Sequence, residues 1–175
     1  ALAESEDGRA ASCEHTERVV MQRIQSRQLS ATGVPPDVTP QLLRWLLDAG
    51  VDEFTLTVMG IHGETAAHAD AFEDAIEPFV LGLARRRVLV DADGQGSTRE
   101  VRIFAFNQAS LEALLPFLAG GLFYNAPSPD GWLEDFAFYR VGDLVLGIVT
   151  HLQEGTLRLT EFEHRAVARM GITST

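Results

Sequence analysis

The sequence predicts an α+β domain of two layers, with a mixed, largely antiparallel sheet of about six strands and flanking helices. Three observations carry that prediction. Residues 53–58, Glu-Phe-Thr-Leu-Thr-Val, alternate polar and apolar side chains without a break, as a strand buried on one face does. Residues 39–50 place Leu42, Leu43, Trp45, Leu46 and Leu47 between Pro40 and Gly50, a helical pattern with a start and a stop. From Asp135 onward, short apolar runs are separated by turn residues, which predicts a three-strand meander.

Taken in order, residues 1–15 are small, polar and without periodicity, and are expected to form a flexible acidic tail ahead of a single domain over 16–175. Val20, Ile24 and Gln28, with Met21, predict a short amphipathic helix that keeps Arg23 and Arg27 on another face. Gly33-Val34-Pro35-Pro36 breaks the chain before the helix at 39–50, for which Thr39 is the expected N-cap. After strand 53–58, a helix is expected from about Thr65 with Phe72, Ile76, Phe79, Val80 and Leu83 inside. Pro78 should kink or restart it, because proline removes a backbone donor and crowds the preceding turn.

Val88-Leu89-Val90 and Val101 to Phe106 read as strands joined by a hairpin loop at 91–97. Asn107 then caps a helix through Leu111, Leu114, Leu115 and Leu118, which ends at Gly120-Gly121. The strand–helix stretches 53–79 and 101–117 share a cadence, Ala-Ile-Glu-Pro-Phe in one and Ala-Leu-Leu-Pro-Phe in the other. The meander runs through 135–140, 144–151 and 156–159. Thr160 and Glu163 then form a capping box for a last helix with Phe162, Ala166, Val167 and Met170 inside.

Composition narrows the chemistry. The 175 residues hold 25 Asp plus Glu and 14 basic side chains, all of them Arg, for a net charge of −11. Without lysine there is no Schiff-base amine, no phosphate-loop Lys and no Ser/Lys dyad. One cysteine removes CxxC redox pairs and multi-Cys zinc sites. No cofactor motif is present, so no cofactor is expected. The acidic balance speaks against sequence-independent nucleic-acid binding and against an anionic membrane, and no apolar run is long enough to span a bilayer. Ala1-Leu2-Ala3 has the small-x-small spacing of a signal-peptide cleavage site, yet the sequence holds no apolar h-region, so a cytoplasmic location is expected.

Candidate sites are few. Asp70, Glu73, Asp74 and Glu77 fall at i, i+3, i+4 and i+7, four carboxylates on one helix face that a basic partner would complement; solvation is the commonplace reading. Phe123, Tyr124 and Trp132 flank a Gly/Pro loop, and such aromatics either anchor an interface or close over a core. His62, Glu64 and His68, where a strand gives way to a helix, have side chains that ligate zinc or iron, although the set completes neither a zincin nor a deaminase motif. Glu161-x-x-His164 matches half of a di-iron signature, and 91–96 imitates a calcium loop until its twelfth position, which is Arg102. His151 lies at a strand end with Glu134 and Asp135 across the meander.

The expectation is therefore a non-catalytic protein-binding or regulatory module with an acidic surface. The alternative is a metal-dependent enzyme using His62, Glu64 and His68, with His151 as a further donor.

Overall fold

A computed structural model describes residues 23–59, 67–89, 96–123 and 132–175. The sequence expectations for the 1–15 tail, for the start of the first helix, and for His62, Glu64 and Tyr124 lie outside those residues.

Seven strands form one sheet in which every pairing is antiparallel: β1 (Ile24–Ser30), β2 (Glu53–Met59), β3 (Val80–Leu89), β4 (Gly96–Ala105), β5 (Trp132–Arg140), β6 (Asp143–Val149) and β7 (Glu154–Thr160). Their spatial order is β1-β7-β6-β5-β2-β4-β3. Four helices complete the described chain: α1 (Thr39–Asp48), α2 (Ala67–Ile76), α3 (Gln108–Leu114) and α4 (Glu161–Ala168). The α+β class holds, with one strand more than expected.

The segment β2-α2-β3-β4-α3-β5 has its strands in the order β5-β2-β4-β3. This is the split β-α-β arrangement of ferredoxin-like folds, in which each half places its two strands on either side of a strand from the other half. The cadence shared by 53–79 and 101–117 is its imprint: both helices give way to a 3-10 turn at a proline, Glu77–Phe79 around Pro78 and Leu115–Leu118 around Pro116. Strands β6, β7 and β1 extend the sheet beyond β5, and α1 and α4 bracket the whole.

The helices pack their apolar faces against one side of the sheet. Leu42, Leu43 and Leu46 of α1, Phe72 and Ile76 of α2, Leu111 and Leu114 of α3 and Val167 of α4 meet Phe54, Phe104, Phe136, Phe138, Leu157 and Leu159 in one core. A smaller cluster fills the other side, where the end of β3 rolls back over β5 and β6 and seats Leu89 against Ala137, Tyr139, Leu144 and Val149. Polar contacts lash that arm down. Arg86 forks onto Glu53 (Nη2–Oε2 2.6 Å, Nε–Oε2 2.8 Å), its guanidinium stands 6.0 Å from the Tyr139 ring centre, and the Tyr139 hydroxyl donates to the Arg87 carbonyl at 3.0 Å. Burial drives the Tyr139 phenol well above its usual range; Arg86 opposes the shift and Glu53 adds to it.

Several sequence expectations change. Residues 24–30 are a strand, not a helix, because full-length pairing with β7 outweighs a helical pattern that rested on few apolar positions. The helix expected to run through Leu83 stops at Ile76. Pro78 cannot continue it, and Val80 opens a ten-residue strand in place of the short one expected at 88–90. Val38 rather than Thr39 holds the N-cap position of α1, with no side-chain cap bond, and Thr39 is already the first helical residue. Asn107 and Thr160 cap α3 and α4 as expected, each in a reciprocal capping box.

The β5–β6 hairpin turns on Val141 (φ +52°) and Gly142 (φ +79°), both left-handed as a type I′ turn requires. A β-branched residue is ill suited to that conformation, and the Val141 side chain is 88% exposed, so the fold gains little from it. Val141→Asn is expected to raise stability by about 1 kcal/mol, read from the urea midpoint, since Asn tolerates this conformation far better. Tyr139→Phe is expected to lower stability by about 1 kcal/mol through loss of the hydroxyl that holds Arg87. An unchanged midpoint would show that the arm is held by its apolar contacts alone.

Candidate functional site

The end of α1 and the start of α4 are drawn together by one arginine at the end of β5. Arg140 Nη1 donates to Glu163 Oε1 at 2.6 Å and to the Ala49 carbonyl, just past α1, at 3.1 Å. Glu163 also serves α4: its Oε2 accepts the Thr160 N–H at 2.8 Å, while its own N–H donates to Thr160 Oγ1 at 3.3 Å. Burial of the Glu163 carboxyl acts to raise its pKa. The hydrogen bonds from Arg140 and Thr160 outweigh that and hold it below the ordinary glutamate range.

Between these two helix ends lies an open groove of about 360 Å³ lined by Trp45, Asp48, Ala49, Thr160, Phe162 and Glu163. Trp45 and Asp48 are three residues apart on α1 and so share a face. Phe162 stands in the first turn of α4 with 64% of its surface exposed. A second groove, of about 340 Å³, is lined by Ile24, Arg140, Val141, Asp143 and Arg158 among others. The two adjoin, because Ile24 and Thr160 are paired across β1 and β7. Of the six exposed large apolar side chains among the described residues, Ile24 (46%), Val141 and Phe162 rim this surface.

The residues singled out from sequence distribute elsewhere. Asp70, Glu73, Asp74 and Glu77 all lie on the exposed side of α2 and the turn after it, but Arg102 of β4 reaches up to Glu77 and to Glu73 (3.8 Å) while lying 5.3 Å from the Phe104 ring centre. Two of the four carboxylates thus answer an arginine of the same chain, and Asp70 and Asp74 face solvent. Phe123 is 5% exposed and packs in the main core. The backbone of Trp132 opens β5, and that of His68 lies in α2.

Glu161 and His164 part company: Glu161 pairs with Arg27 at 2.6 Å, whereas His164 is 3% exposed with Nε2 3.2 Å from the Gln25 carbonyl. His151 is exposed in a 3-10 turn. Asp135 turns to the neighbouring Thr150 instead, its carboxylate accepting the Thr150 N–H at 2.9 Å and its N–H donating to Thr150 Oγ1 at 2.8 Å. Among the described residues no group of three or more His, Cys, Asp or Glu is placed to hold a metal ion, and no helix is long and apolar enough to cross a membrane.

Sequence reasoning put Phe162 inside α4 and Trp45 inside α1. The buried stripe of α4 is set by His164 and Val167, and at about 100° per residue Phe162 falls on the far side of it. Trp45 flanks the buried row Thr39, Leu42, Leu43 and Leu46 and, half-buried, still packs against the main core while its outer side lines the groove. Comparison with family models, curated proteins and solved structures gives no match.

Because the folded state holds the Glu163 carboxyl below its unfolded pKa, its contribution is full above the ordinary glutamate value of 4.5 and is lost as pH falls through the lower folded value. Glu163→Gln is expected to cost about 1 kcal/mol at neutral pH, with the deficit shrinking as the solution is acidified below about pH 4.5. Urea melts of both forms from pH 7 to pH 3 would check this. A deficit independent of pH would assign the loss to the altered cap alone.

Proposed function

We propose that this chain is a non-catalytic module that binds another protein, and that the surface formed by Ile24, Val141, Trp45 and Phe162 is where it does so. One observation carries the reading: three large apolar side chains stand exposed around two adjoining grooves, one of them on a left-handed turn where valine weakens the fold. Apolar and aromatic side chains that do not serve the core and cluster beside a concavity are characteristic of interfaces. A partner with a basic surface suits the net charge of −11, which favours its encounter over long range. The acidic face of α2 supports that partner class less than its spacing suggested, since Arg102 already engages Glu73 and Glu77.

The test is a photo-crosslinker at position 162, Phe162→p-benzoylphenylalanine, in the full chain exposed to lysate of the source cells, with the same group at the exposed Leu83 as control. The expected result is a discrete adduct at 162, identified by mass spectrometry and competed by excess wild-type chain but not by a Trp45→Ala/Phe162→Ala form. Identical, uncompeted adducts at both positions would overturn the reading.

A further inference from the structure

We propose that the groove between α1 and α4 receives the guanidinium of an arginine on an exposed segment of a partner protein, with Asp48 as its carboxylate and Trp45 and Phe162 as its aromatic walls. The proposal rests on the binding reading above and names what the site recognises.

Charge comes first. Two carboxylates line the groove, and their situations differ. Both oxygens of Glu163 are engaged, one by Arg140 and the other by the Thr160 N–H, so the charges of Glu163 and Arg140 balance each other. Asp48 is exposed and makes no hydrogen bond or ion pair among the described residues. The net charge the groove presents is therefore that of Asp48. It stands in the last turn of α1, where the aligned peptide dipoles add partial negative charge and favour a cation.

The walls then select among cations. The indole N–H of Trp45 also donates to no described residue, and the exposed ring of Phe162 lines the same groove. A planar guanidinium stacks on an aromatic face while directing paired N–H groups at a carboxylate, whereas an ammonium is more strongly hydrated and lacks the flat face. A guanidinium of the chain itself already sits between the same two helix ends: Arg140 Nη1 donates both to the Ala49 carbonyl just past α1 and to the Glu163 carboxylate of α4.

The probes are three acetylated, amidated pentapeptides, Gly-Ala-X-Ala-Gly, in which X is arginine, lysine or citrulline. The readout is the Trp45 indole N–H resonance of the full chain, separated from that of Trp132 by a Trp132→Phe form. The arginine peptide is expected to shift that resonance saturably, the lysine peptide to bind several-fold more weakly, and the uncharged citrulline peptide to leave it in place. Asp48→Asn, at an exposed position with no partner among the described residues, is expected to weaken the arginine peptide about 5–10-fold, the scale of a partly exposed charge-assisted pair. An unmoved resonance, equal shifts with citrulline, or indifference to Asp48→Asn would overturn the assignment. Its failure is distinguishable from that of the binding reading. If the adduct at position 162 forms and survives Asp48→Asn unchanged, only the guanidinium assignment falls; if no competed adduct forms, the binding surface itself falls.

Discussion

Phe54 stands at the middle of the sheet, stacked at 5.1 Å on Phe104 of β4 and at 5.9 Å on Phe138 of β5, each directly opposite it in register. Phe106 closes edge-on against both Phe54 and Phe138, and Phe136 extends the row along β5. These rings join strands that are distant in sequence, which is what a split β-α-β arrangement demands. Each buries a large apolar area, and ring-to-ring geometry adds further specificity. Because side chains alternate across a strand, a slip of one residue in β2 would turn Phe54 to the opposite face and remove the floor on which all the helices rest. The register of the central strands, and with it the placing of α1 and α4, depends on this row.

The groove is a consequence of that placing. β5 carries Phe136 and Phe138 on the helix side and then ends at Arg140, whose side chain reaches the tail of α1 and the head of α4 together. Glu163 caps its own helix and grips the arginine with the same carboxylate, so one ion pair that is only partly exposed ties α4 to β5 while the same guanidinium reaches the Ala49 carbonyl just past α1. Such a pair is worth more than the surface bridges at Arg27–Glu161 or Arg102–Glu73, whose groups stand further into water. The site is therefore held by elements of regular structure rather than by a free loop.

Much of the architecture was legible because its signals are local. The alternation at 53–58, the capping residues Asn107 and Thr160 and the turn chemistry of the meander each act within a few residues. The illegible parts depend on partners far along the chain. Residues 24–30 become a strand only because β7 is there to pair with them, and Leu83 leaves a helical pattern because Pro78 ends the helix and β4 pairs with the residues beyond it. The groove escaped for a related reason. Nothing in the sequence marks Asp48 until the neighbouring helix end is in place. The acidic stripe, conspicuous by spacing, is partly answered by Arg102, a strand residue that no helical pattern reveals. One signal was available: Phe162 lies off the stripe set by Val167, a rotation that counting at about 100° per residue exposes.

An open sheet has two outer strands whose unpaired backbone invites other chains to join it. Here the chain attends to both. Residues near its C-terminal end lie along β1, with Gln28 and Thr175 exchanging N–H to carbonyl bonds at 2.7 and 3.0 Å and Thr173 reaching Gly33 at 3.0 Å. At the far edge the Arg87 carbonyl is taken by Tyr139 and the Arg85 carbonyl by Arg86. Contacts that read individually as small local anchors thus occupy part of the backbone at each edge, at Gln28 on one side and at Arg85 and Arg87 on the other, where an incoming strand would otherwise find free groups to pair with.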